Sequence, residues 1–486
     1  MKFVQRAARP QLVAGAAATT VLVVAILLLV LGAASNASAQ GGNPPGAVTL
    51  QMHTVASVEP GVNLSLREKR LASQTAFSSD RIVILLEPFG VPAAESFDSS
   101  LPGFSMMEYL AQNGYDVWAL DFRGFGASDR PAAFNQPFPN WANPPQMRAA
   151  DAVLDVDAAM QYICNLRGTS KTNILGWSWG AVVASQYAGM HPERMERLVI
   201  YGGMHSFRLA SMTNAFDDPN YPQGSGRMKS LPAYQLAEPS MSINHWRMQG
   251  MCDQQGNNCM APHTPAAETE LSRIFLASDP TSGTRSPASI RRALGPMVDL
   301  YEIWYERPVF DASLITAPTL IIRGDHDTFS NDPGFMPALT NAPIKRYIEL
   351  PLATHWAIYE EQAAPQLMSE VAKFMSAGRP GLTVGITGAR WVSYADYTNG
   401  LLSVDYRISN PGSVPGFNVQ VTGSTATDGV SLASSQAPVS LGDISSGSAT
   451  SFTLKYQVPP GLGFFRATVL GSAEDGAGVP YSYPGA

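Results

Sequence analysis

Apolar positions fall into two registers along this chain. The stretch Arg81-Ile82-Val83-Ile84-Leu85-Leu86 is an almost unbroken aliphatic run, the pattern of a strand buried on both faces in a parallel sheet covered by helices. Residues 117–122, 172–176, 198–202, 319–324 and 345–350 repeat that character, and several of the intervals read as helices, residues 158–166, 181–190 and 360–374 among them. Two further strand-like stretches, 48–55 and 62–71, precede the first run. Strand and helix alternation predicts a doubly wound, mostly parallel α/β domain over residues 45–377.

The alternation breaks between residues 204 and 316, a region rich in Met, Pro, Asn and Ser. A structureless loop of that length is foreign to a compact domain, so the region is expected to be an inserted cap with helices at 268–276 and 287–305. From residue 381 to 486 the register changes to short alternating strands, 401–408, 417–422, 450–458 and 465–470, separated by Gly, Pro, Asn and Ser. That spacing predicts a small all-β sandwich.

Length and composition agree with this division. A chain of 486 residues carries a prior of roughly two to four folding units. Hydrophobic residues at 45% and charged residues at 15% describe a globular protein, and a net charge of −7 with no long basic run excludes a nucleic-acid partner.

The first 39 residues stand apart: Lys2, Arg6 and Arg9 precede an almost uncharged apolar stretch over 12–34, followed by Ala37-Ser38-Ala39. This is the layout of a secretory signal cleaved after Ala39; the apolar stretch is also long enough for an uncleaved membrane anchor. Either reading takes the body out of the cytoplasm, secreted, periplasmic or anchored. In that setting Cys252 and Cys259 are expected to form a disulfide, with two reduced cap thiols as the other reading, and Cys164 to be a buried inert thiol.

Chemistry enters at Gly176-Trp177-Ser178-Trp179-Gly180, which follows one predicted strand and opens a predicted helix. That setting is a nucleophile elbow, in which flanking glycines permit a strained turn and leave the Ser178 hydroxyl proud of the sheet. A serine hydroxyl needs an imidazole to take its proton, and the imidazole needs a carboxylate to hold its tautomer. Both lie downstream. Asp325 and Asp327 follow the strand ending at Gly324, and His355 stands in the loop after the next strand. His205 is the other histidine placed near a strand's carboxyl end, whereas His53, His191, His245 and His263 read as surface or core residues. No metal-ligand spacing occurs, so neither a metal nor a cofactor is expected.

Together with Asp121-Phe122-Arg123-Gly124-Phe125-Gly126-Ala127-Ser128, the elbow, Gly324-Asp325-His326-Asp327 and Thr354-His355-Trp356 resemble the α/β-hydrolase superfamily over about residues 60–376. The resemblance implies Ser178 as nucleophile, His355 as base and Asp327 as the acid, with Asp325 left to cap its loop. It also implies an oxyanion hole. One donor would be the Trp179 backbone NH and the other would come from the loop after the first strand, where relatives carry a His-Gly pair. Here that loop reads Glu87-Pro88-Phe89-Gly90, and because proline has no NH the second donor falls to Phe89. Glu87 either tunes the site or anchors the loop. Trp177, Trp356 and Glu87 are expected around the substrate.

A carboxylic ester hydrolase acting on a small-molecule ester through an acyl-enzyme is the first reading. An amide or peptide hydrolase similar to the prolyl aminopeptidases keeps the same groups. A surface-binding protein with an inactive hydrolase scaffold is the third, and the sandwich, which resembles bacterial immunoglobulin-like accessory domains, implies cell-surface or polymer attachment. Dehalogenase and epoxide hydrolase relatives place an aspartate at the elbow, where this chain has Ser178.

Overall fold

The computed structural model describes residues 46–249, 264–375, 381–411, 414–434, 436–475, 478 and 480–484. The leader over 1–39 and the Cys252–Cys259 pair lie outside the described residues. Cys164 is buried, unbridged, and donates from Sγ to Met160 Sδ at 3.6 Å.

Strands β1 (Val48–Ala56), β2 (Asn63–Leu71), β3 (Ile82–Leu86), β4 (Asp116–Asp121), β5 (Thr172–Trp177) and β6 (Met195–Tyr201) precede the cap, where β7 (Tyr234–Ala237) and β8 (Ile290–Ala293) form a separate pair; β9 (Thr319–Gly324) and β10 (Lys345–Leu350) follow. Among the described residues the central sheet has eight strands in the order β1-β2-β4-β3-β5-β6-β9-β10. β2 is antiparallel to both its neighbours, and every pairing from β4 across to β10 is parallel.

All residues of β3, β4 and β5 are buried, and the period of two sorts them onto opposite faces. Ile82, Ile84 and Leu86 join Ile174 and Ile200 beneath the helices Ala149–Arg167 and Trp179–Met190. Val83 and Leu85 join Leu175, Val199 and Ile322 beneath Met106–Gln112 and Ala363–Met375. Each face thus has its own core, which is why these strands lack alternation in the sequence. Fully burying one such aliphatic side chain stabilises by about 1.5–3 kcal/mol.

Between β6 and β9 lie the helices Ser240–Arg247, Pro265–Ala277 and Gly295–Trp304 and the β7–β8 pair. The expected single helix over 287–305 is corrected here. Ile290–Ala293 extends to pair with Tyr234–Ala237, and a helix begins only at Gly295 with Pro296 in its first turn, where the missing NH costs nothing.

Past residue 381 come β11 (Thr383–Arg390), β12 (Leu401–Ser409), β13 (Gly416–Ala426), β14 (Ser431–Leu432), β15 (Val439–Ile444), β16 (Ala449–Gln457), β17 (Ala467–Glu474) and β18 (Pro480–Pro484). They form two antiparallel sheets, β11-β12-β16-β14 and β15-β13-β17-β18. Inward residues such as Tyr406, Leu454, Val419 and Val469 make a core of their own.

Candidate active site

The turn after β5 is strained. Ser178 has φ 58° and ψ −120° and opens the helix Trp179–Met190. A non-glycine residue in this region costs about 1–3 kcal/mol. The turn is held on both sides: Ser178 N donates to Tyr201 O at 2.8 Å, and the flanking glycines admit close backbone. A Cβ at Gly176 would lie 2.3 Å from Gly180 O, and one at Gly180 would lie 2.3 Å from Glu87 O. Any side chain there would push the helix off the sheet and the β3 loop off the elbow.

Asp327 and His355 are brought together by the parallel pairing of β9 with β10, since each follows the carboxyl end of its strand. His355 Nδ1 donates to Asp327 Oδ2 at 2.7 Å. The same carboxylate accepts from Ser330 Oγ at 2.5 Å and from the Phe329 and Ser330 NH groups at 3.1 and 3.2 Å. Burial alone would raise its pKa, but the charge and hydrogen bond of His355, with the bond from Ser330, hold it below the ordinary aspartate value. With Nδ1 committed as donor, Nε2 is left as the acceptor. Asp325 serves its loop: it accepts from the Leu352 and Ala353 NH groups at 3.1 and 3.0 Å and meets His326 Nδ1 at 2.7 Å.

The His355 backbone is clamped by Trp177 Nε1 and Tyr201 Oη, which donate to its carbonyl at 3.1 and 3.0 Å, and by Gln249 Oε1, which accepts from its NH at 2.7 Å. Glu360 ties this loop to the cap. It accepts from Thr354 Oγ1 at 2.5 Å and from Trp246 Nε1 at 2.9 Å, and burial raises its pKa.

Ser178 and His355 line one cavity of about 270 Å³ together with Phe89, Trp356, His245 and Arg292, and much of the remaining wall is methionine. Of the residues expected around a substrate, Trp356 lies in this wall. Trp177 does not. It is fully buried beneath the site, stacked on Tyr201 at 5.2 Å with Trp356 against its edge, because its strand position points into the lower core. Glu87 is also outside the wall. Fully buried, it accepts from Ala93 N at 2.9 Å and Phe122 N at 3.4 Å, so it anchors the loop that carries Phe89. Burial, then the nearby Asp121, raises its pKa well above the glutamate value. His205 is outside too, packed between Phe310 and Phe335.

Of the two expected oxyanion donors, Phe89 belongs to the cavity wall, whereas Trp179 is outside the lining and adjoins it through Ser178. Trp179 N is the first NH of the elbow helix, which has no carbonyl within its own helix to bond. The Trp179 indole is turned away, donating to Asp299 Oδ2 at 3.0 Å.

Sequence reasoning missed His245, Gln235 and Arg292. His245 reaches the site from the cap helix Ser240–Arg247: its Nδ1 accepts from Trp356 Nε1 at 3.0 Å, and its ring packs 4.1 Å from Phe329 and 5.5 Å from His355. Nothing local in Ser-Ile-Asn-His-Trp marks it. Gln235 and Arg292 sit on the β7–β8 pair, which a helical reading of 287–305 hides.

Residues 90–226 match a family model described as the alpha/beta hydrolase fold. Among curated proteins, Epoxide hydrolase 3 of Xenopus tropicalis is 22% identical over 266 residues, which is 54% of this chain and 64% of that protein. The chain therefore spans less than two thirds of the length of that relative. Similar solved structures include a thermophilic esterase from Thermogutta terrifontis (16% identity, 67% of this chain and 98% of that one, TM-score 0.42), the enol-lactonase from Burkholderia xenovorans (15%, 66% and 99%, 0.40) and a laboratory-evolved potato epoxide hydrolase (16%, 67% and 99%, 0.43).

Proposed function

We propose that this chain, whose catalytic domain has the α/β-hydrolase fold, is a serine hydrolase that cleaves carboxylic esters through an acyl-enzyme on Ser178. The observation that carries the reading is the buried Asp327–His355 pair at 2.7 Å, opening onto the cavity that holds the strained Ser178. His355 Nε2 takes the Ser178 proton as Oγ attacks the ester carbonyl, and Asp327 stabilises the imidazolium that forms. The oxyanion is received by the Trp179 and Phe89 NH groups, each such donor being worth about 3–4 kcal/mol. His355 then gives its proton to the departing alcohol, and a water activated by the same nitrogen releases the acid.

Serine at the elbow, where the epoxide hydrolase relatives place an aspartate, supports acyl transfer over epoxide opening. Among the described residues no carboxylate lines the cavity, which favours an ester over a peptide with a free amino terminus. The basic, apolar and small-residue order of the first 39 residues supports export, and the sandwich supports attachment outside the cell.

The test is the time course of 4-nitrophenol release from 4-nitrophenyl esters by the purified protein. Saturable hydrolysis with an initial burst equal to the enzyme concentration is expected. Absence of hydrolysis by folded protein contradicts the reading and favours the surface-binding alternative.

A further inference from the structure

The cavity contains a charge that the ester chemistry above does not use. Arg292 lies on β8 directly opposite Gln235 on β7, a register that puts both side chains on one face of the pair, and both reach the cavity wall. Only 8% of Arg292 is exposed. With its amide turned to satisfy both partners, Gln235 accepts through its side-chain oxygen from Arg292 Nε at 2.9 Å and from Nη2. The guanidinium carbon stands 4.2 Å from the centre of the Phe89 ring. The stem fills the space at Gly90, where a Cβ would fall 2.7 Å from Arg292 Cδ.

These contacts fix the guanidinium but leave its charge unanswered. Gln235 is neutral and the Phe89 ring is a weak partner. Among the described residues no carboxylate pairs with Arg292, although its neighbour Arg291 is paired with Asp279 at 2.9 Å. Burial draws its pKa down to about 10, which still leaves it charged at neutral pH. A buried cation is costly unless an anion meets it. A guanidinium has five N–H donors, so those not taken by Gln235 remain for a ligand in the cavity. His245, another titratable group in the wall, is kept neutral by burial and so adds no second positive charge beside Arg292.

We infer that Arg292 is an anion-binding subsite and that the ester this enzyme takes carries a carboxylate, held by the guanidinium while the methionine wall receives its aliphatic part. The inference rests on the ester hydrolase reading and deepens it. Gln235 is the positioning residue that presents the fork.

The experiment compares kcat/KM for two sets of esters. One set is the monoethyl esters of four- to eight-carbon diacids, and the other is butanoyl esters of short hydroxy acids, so that the carboxylate stands on the acyl or the alcohol side. Each is paired with a neutral isostere. Wild-type protein is expected to prefer the best anionic ester over its isostere by about ten- to a hundredfold, the range of a charged hydrogen bond. Arg292→Gln is expected to collapse that ratio, whatever it does to the absolute rates, and Arg292→Lys to restore part of it. A merely structural Arg292 would lower both members of a pair alike. Should Arg292→Gln fail to fold, the wild-type ratio and Arg292→Lys decide. Neutral isosteres hydrolysed as well as their anionic partners in both sets overturn the subsite and leave the ester hydrolase standing. If no ester is hydrolysed and Ser178 takes no phosphonate label, both fall.

Discussion

Trp356 Nε1 donates to His245 Nδ1 at 3.0 Å and so holds a second imidazole with its ring centre 5.5 Å from that of His355. Because Nδ1 accepts, the His245 proton resides on Nε2. Burial first, and the neighbouring His355 next, draw its pKa down to about 3. His245 therefore stays neutral wherever the enzyme works. The acid limb of kcat/KM, followed from about pH 4.5 to about pH 9, is expected to show one ionisation with unit slope. His245→Gln should lower kcat/KM by about three- to tenfold through the lost bond to Trp356 while keeping that single ionisation. A slope of two in the parent that becomes one in the variant would contradict this.

Glu87 predicts a dependence of stability on pH. Its folded pKa is raised above the ordinary 4.5, by burial first and Asp121 second. The folded state thus holds a proton that the unfolded chain has released. Its contribution to stability is fully present below about pH 4.5 and is lost as pH rises towards the raised value, by at most about 1.4 kcal/mol per pH unit. Glu87→Gln has no such proton, so its melting temperature is expected to gain on the parent as pH rises from about 5 to 8. A constant difference across that range would show that Glu87 is charged in the fold.

Asp279 joins the end of the cap helix Pro265–Ala277 to β8. It is buried and accepts from Arg291 Nε at 2.9 Å, Arg285 Nη2 at 2.8 Å and Thr281 Oγ1 at 2.8 Å. Burial would raise its pKa, yet the bonds led by Arg291 hold it far below the ordinary 3.8, so its contribution is fully present at neutral pH and is lost progressively as pH falls below about 4 towards that low value. Asp279→Asn strands two arginines and is expected to cost about 3–5 kcal/mol, measured by denaturant unfolding at neutral pH. Since Arg292 follows Arg291 on the same strand, the preference for anionic esters should weaken with it.

Much of the catalytic domain is legible in the sequence because its determinants are local. The run at Ile82–Leu86, the glycines around Ser178 and the strand ends before Asp327 and His355 each announce themselves within a few residues. What was missed depends on distant partners. Ile290–Ala293 is a strand only because Tyr234–Ala237 lies beside it, and a four-residue strand has too short a period to betray itself. His245 becomes part of the cavity through the docking of a cap helix on Trp356. Closeness in sequence to the elbow and its loop puts Trp177 and Glu87 near a substrate, but the alternation of a strand and the satisfaction of two backbone NH groups send both away from the cavity. The sandwich strands β11, β15 and β18 escaped for the same reason as β8, since glycine- and proline-rich stretches acquire extended structure from their neighbours.

The central claim is that Ser178 is an activated nucleophile. The most direct measurement is labelling of the purified protein and of Ser178→Ala with a fluorescent phosphonate, with the modified peptide located by mass spectrometry. The account predicts stoichiometric labelling of the parent on Ser178, none in the variant, and a loss of esterase activity in the variant of about a thousandfold or more. A folded parent that takes no label, or a variant that labels as well as the parent, would contradict it.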